Sequence, residues 1–62
     1  MTIAEKMTEM DAALKLAGKT MKDLSRESGV DYVTLWRWRR GADAKMETWS
    51  RVQEAFTSLV SA

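Results

Sequence analysis

Three arginines, two tryptophans and a tyrosine fall within nine positions: Tyr32, Trp36, Arg37, Trp38, Arg39 and Arg40. Groups of these kinds can hydrogen-bond to phosphate, stack on flat rings, or seat a helix in a core. Little else in the chain suggests chemistry. There is no histidine and no cysteine, so the commonest general base, the commonest metal ligand and any thiolate site are missing. Ser25, Ser28 and Ser50 therefore have no histidine to activate them. The scattered acids pair naturally with lysines and helix caps. Neither an enzyme nor a bound cofactor or metal is expected.

The positions of the aromatic and basic residues depend on the element that carries them. The chain has 62 residues, 45% of them hydrophobic and 31% charged. That suits one small globular domain over residues 1–62, burying only about 60% of its unfolded surface. The net charge of +1 does not by itself announce a partner. No apolar run approaches the roughly 20 residues that span a bilayer. Acids spread through the first turns argue against a signal peptide, and a cytoplasmic location is expected.

Proline is absent, and Gly18, Gly29 and Gly41 divide the chain into helix-sized lengths. Ile3, Met7, Met10, Leu14 and Ala17 make a helical stripe from about Thr2 to Ala17. Thr20 and Asp23 suit a capping box for a second helix ending at Ser28-Gly29. Met21, Leu24 and Ser25 fall on or near its inner face. Asp31 is an expected N-cap for a third helix reaching about Arg40. A fourth starts near 43–45 and runs to about Leu59, with Met46, Trp49, Val52, Phe56 and Leu59 as its stripe. The expected fold is all-α, a compact bundle of four short helices.

At about 100° per residue, Leu35 and Trp38 share the buried side of the third helix with Val30 nearby. Trp36 lies about 160° from Trp38, on a face with Tyr32, Val33, Arg37 and Arg40. Mixing aromatic and basic residues on one face does not suit a membrane-surface helix, which separates them. It suits a surface that meets phosphates and base edges together. Helix packing of Trp36 beside solvated arginines fits the wheel equally well.

The stretch "TMKDLSRESGVDYVTLWRWRRG", residues 20–41, resembles the helix-turn-helix of the lambda repressor and Cro family. Thr20 opens it, Leu24 is followed by the small Ser25, Gly29 makes the turn and Val30 is apolar after it. Leu35 and Trp38 supply the buried side, and Gly41 closes the second helix. "METWSRVQEAF" and "LKLAGKT" resemble flanking family helices. The departures are also specific. Ser25 stands where alanine is usual, and Met21 where several members place a bracing glutamine. Leu14 and Arg39 stand where some members form a buried Arg–Glu pair, so that link is expected to be missing. The "GADAK" loop is poor in basic residues, and no effector or oligomerisation domain is evident.

The resemblance implies a lambda repressor-like bundle whose third helix enters the major groove of a double-stranded DNA operator. It implies base reading by Tyr32, Val33, Trp36 and Arg37, with Arg37 as the main hydrogen-bonding reader. It implies backbone contacts from Thr20, Met21, Lys22, Thr34, Arg40 and Lys45, with Lys19 and Arg39 as lesser candidates. It further implies a homodimer, at least on DNA, on a pseudo-palindrome, for which Leu59 and Val60 offer a small contact. The implied role is a small phage-type transcriptional repressor. An excisionase-like or activator protein, and a protein-interaction module or antitoxin on the same fold, are the alternatives.

Overall fold

The computed structural model describes residues 2–61. It contains four helices: α1 (Ile3–Leu16), α2 (Met21–Ser28), α3 (Tyr32–Arg39) and α4 (Met46–Ser61). No strand occurs among the described residues. The principal extents are 28 × 19 × 19 Å.

Local chemistry sets the helix starts. Thr2 caps α1, its hydroxyl accepting from the Glu5 amide at 3.1 Å while the Thr2 amide donates to Glu5 at 3.4 Å. Thr20 and Asp23 repeat this reciprocal arrangement at α2, as the sequence predicts. Asp31 does not behave as expected. It stands at the N-cap position of α3 but makes no side-chain cap hydrogen bond. Its backbone carbonyl accepts from the Leu35 amide at 3.2 Å, while the leading amides of α3 have no side-chain cap.

The ends follow equally local rules. Gly29 takes φ 74 at the C-cap of α2, a left-handed conformation that costs a residue with a Cβ roughly 1–2 kcal/mol. It lets the chain reverse within three residues, 29–31, before α3 begins. Gly41 has φ 110, and past it the Ala42 amide reaches back to the Arg37 carbonyl at 3.0 Å. That bond, with Gly41 donating to Trp38, satisfies carbonyls that the end of α3 would otherwise leave bare.

The turn between α2 and α3 is pinned by side chains. The Ser25 hydroxyl donates to the Val30 carbonyl at 2.6 Å. The Ser28 hydroxyl donates to Leu24 O at 2.7 Å and accepts from the Val30 amide at 3.3 Å. From α4, Arg51 donates to Ser28 O at 3.4 Å. Ser25 thus fills its place with a hydrogen bond that an alanine there could not make.

The core forms where α2 packs on α4 and α1 packs on α3. Met7, Leu14, Leu24, Leu35 and Val52 are fully buried, joined by Met10, Met21, Val30, Trp38 and Ala55. The Trp38 ring meets that of Trp49 edge to face, centroids 5.9 Å apart. Helix α4 departs from expectation at its start. Met46 is 77% exposed and lies outside the apolar stripe. Ala44, in the preceding loop, packs against the core, so that end is closed before Met46 is reached. At about 100° per residue Met46 falls about 120° from the fully buried Val52, whereas Ala55 is buried with it, and α4 continues to Ser61, past Leu59.

Trp38→Ala is expected to cost on the order of 3–5 kcal/mol of folding stability, because it empties the seat of α3. Urea unfolding of the variant measures this, and a cooperative transition close to the parent's would count against the seat.

Candidate nucleic-acid interface

The α2–turn–α3 unit brings most of the sequence-predicted residues onto neighbouring surfaces. On α3, Leu35 and Trp38 point into the core and leave Val33, Arg37 and Arg40 outside. Val33 is 61% exposed. Positions 33, 37 and 40 are separated by four and three residues, so they are neighbours along one stripe. No ion pair or side-chain hydrogen bond occupies Arg37 or Arg40 among the described residues. Thr34 is half-buried beside the stripe.

Tyr32 and Trp36 behave differently from that stripe. Their rings meet edge to face, centroids 5.9 Å apart and planes at 82°. Trp36 is half-buried and packs against the core, so the fully outward position expected for it is corrected. The reason is α1, which lies against that side of α3. The Arg39 guanidinium covers the Trp36 ring at 4.8 Å from its centroid. Tyr32 is 36% exposed, and Lys22 of α2 places its Nζ 5.9 Å from the Tyr32 centroid.

Position 14 offers Arg39 no acid, as expected, but Arg39 finds one elsewhere on α1, in a part-buried hydrogen bond. Its Nη1 donates to Asp11 Oδ2 at 3.0 Å, linking α1 to α3. Leu14 is indeed apolar and buried; the acid stands one helical turn earlier. The Asp11 side chain is only 9% exposed, and Lys15 approaches the same oxygen at 3.4 Å. A carboxylate this far from water needs such partners. The signal in the sequence is an acid next to Met10, between Met7 and Leu14 on the buried face of α1.

At the N-terminus of α2, the expected contacts divide. Met21 is 4% exposed and belongs to the core, so its side chain cannot serve a surface contact. Only its backbone amide is placed for one. The amides of Met21 and Lys22 sit in the first turn, where no intrahelical acceptor exists. The Lys22 side chain is exposed. Thr20 is occupied as a cap: its hydroxyl donates to Asp23 Oδ2 at 3.1 Å and accepts from the Asp23 amide at 3.3 Å. Lys45 is exposed at the mouth of α4, where its carbonyl accepts the Trp49 amide at 2.8 Å.

Shallow hollows are present on the surface. One of about 210 Å³ lies among α1, α2 and α3, lined in part by Lys19, Tyr32, Trp36 and Arg39. No group of three or more acids, histidines or cysteines is placed to hold a metal among the described residues. No described helix is long and apolar enough to cross a membrane. Of the pair offered as a dimer contact, Leu59 packs against its own core and Val60 is 37% exposed. Comparison of the chain with protein-family models, with curated proteins and with solved structures gave no match.

One titration bears on this surface. The Thr20 backbone amide, donating to Asp23 at 2.8 Å, holds the Asp23 carboxyl below its ordinary value of 3.8, and the Thr20 hydroxyl and Arg26 act in the same direction. A lowered native value means that the stabilisation is present above pH 3.8 and is lost as pH falls through the native value. The difference in melting temperature between the parent and Asp23→Asn is therefore expected to shrink as pH falls from neutral to below that point. Thermal melts across this range measure it, and a pH-independent difference would remove Asp23 from the cap's energetics.

Proposed function

We propose that the chain is a sequence-specific double-stranded DNA-binding regulator in which α2 and α3 act as a helix-turn-helix. The observation that carries this reading is the exposed stripe of Val33, Arg37 and Arg40, whose two arginines make no ion pair or side-chain hydrogen bond among the described residues, on a helix seated from behind by Leu35 and Trp38. Two eight-residue helices joined by a short glycine-containing turn also support it. An α-helix with its side chains is about 10–12 Å across, which matches a major groove about 12 Å wide.

In this reading α3 enters the groove. Arg37 bonds to a guanine edge through its planar fork, and Val33 touches a thymine methyl. Tyr32 contributes its exposed edge at the head of the helix. Trp36, half-buried, shapes the flank and meets the sugar-phosphate wall with its exposed part. Arg40, Thr34, Lys22 and Lys45 meet phosphates, and the first amides of α2 add the positive end of a helix. Met21 takes part only through its amide.

The longest dimension of one copy is 28 Å, short of the roughly 34 Å between half-sites on one face of the duplex. Two copies side by side would cover both. The exposed Val60 is a small contact, so pairing is assigned to the DNA-bound state. By its resemblance the chain fits a Cro-like repressor that blocks a promoter by occupying it. No catalytic group is assigned.

Selecting bound sequences from a random DNA pool tests the reading directly. A recovered consensus with two half-sites supports it, and failure to enrich any sequence would overturn it. Arg37→Ala is expected to leave the fold intact and to cost about 1–3 kcal/mol of specific binding. Unchanged discrimination between the selected duplex and random DNA would remove Arg37 as a reader.

A further inference from the structure

Of the three arginines near the end of α3, Arg39 alone is tied down. It donates to Asp11 at 3.0 Å and lies over the Trp36 ring at 4.8 Å. Trp36 then meets Tyr32, and Tyr32 lies beneath Lys22. A continuous chain of contacts therefore runs from α1 through α3 to α2. Its anchor is a carboxylate with 9% of its side chain exposed. Burial makes that carboxylate demand a cation. Guanidinium suits the place because its plane can lie on an indole face while its edge donates to the acid.

We propose that Asp11 is a positioning residue for the DNA surface of α3. By holding Arg39 against Trp36 it withdraws that cation from the duplex and leaves Arg37 and Arg40 as the arginines α3 presents. This rests on the DNA-binding reading above. A loose arginine beside the readers would attract phosphate at any sequence and raise non-specific affinity. Tying it back lowers that background and fixes the ring against which Tyr32 packs. Specificity then depends on a residue in α1 that never touches DNA.

The test uses the full chain with two probes: a random-sequence duplex, and the tightest duplex recovered from a random pool. Asp11→Asn keeps the shape and removes the charge. It is expected to steepen the plot of log affinity against log salt by about 0.9, the effect of one additional phosphate contact. The preference for the selected duplex should fall several-fold. Adding Arg39→Gln to Asp11→Asn should restore the parental slope, whereas adding Lys15→Gln should not. Arg39→Gln alone should leave the parental slope unchanged.

A merely structural role for Asp11 predicts weaker binding to both duplexes at an unaltered slope, with no reversal by Arg39→Gln. That result overturns the proposal. So does reversal by Lys15→Gln, since Lys15 shares the same carboxylate. If Asp11→Asn does not fold, Arg39→Gln alone decides. An unchanged slope supports the proposal, and a slope shallower by about one contact shows Arg39 on phosphate in the parent and overturns it. A parent chain without salt-dependent DNA affinity defeats the DNA-binding reading and the proposal together. A parent that binds, with an unaltered Asp11→Asn slope, defeats the proposal alone.

Discussion

Helices of eight residues do not persist alone in water, since nucleating a turn costs more than so few hydrogen bonds return. Both α2 and α3 have this length. Whatever α3 presents to a partner therefore depends on its inner face being held. Leu35 is fully buried, and Trp38 is 4% exposed with its ring against Trp49. Through these two side chains the core sets both the existence of α3 and its rotation about its own axis. Rotation matters most, because a turn of about 100°, the step of one residue, would exchange the exposed stripe for the half-buried side.

The serine contacts around Gly29 serve the same end from the other side. Ser25, Ser28 and Arg51 fix the path of the chain between α2 and α3. The turn is tight because Gly29 can take a positive φ, and it stays in place because its carbonyls and amides are used. The first amides of α2 and the exposed stripe of α3 are thus held in a stable relation. Two short helices then act as one surface.

On that surface the three arginines have separate environments. Arg37 and Arg40 extend from the helix into solvent. Arg39 turns back across Trp36 to an acid on α1. Adjacent residues on a helix point about 100° apart, so neighbours as close as Arg39 and Arg40 answer to different elements. The tryptophans diverge likewise, Trp38 into the core and Trp36 into a half-buried seam between α1 and α3.

Much of this was already legible in the residues. The periodic apolar positions, the Thr20–Asp23 box and the glycine punctuation define four helices to within a few residues, because those signals act within a turn or two of chain. The separation of Trp38 from Trp36 follows from helical pitch alone. Four features did not follow. Met46 continues the apolar spacing of α4 yet lies outside, since Ala44 closes the core before it. Asp31 has the right type for a cap but forms no capping bond. Trp36 is drawn half inward, and Arg39 finds Asp11 28 positions away in the chain. The helices, their buried faces and the stripe of Val33, Arg37 and Arg40 are consequences of local pitch and polarity, and so are readable from the residues. Which charges remain free is settled by the packing of the helices, because it depends on which side chain of another helix comes within reach.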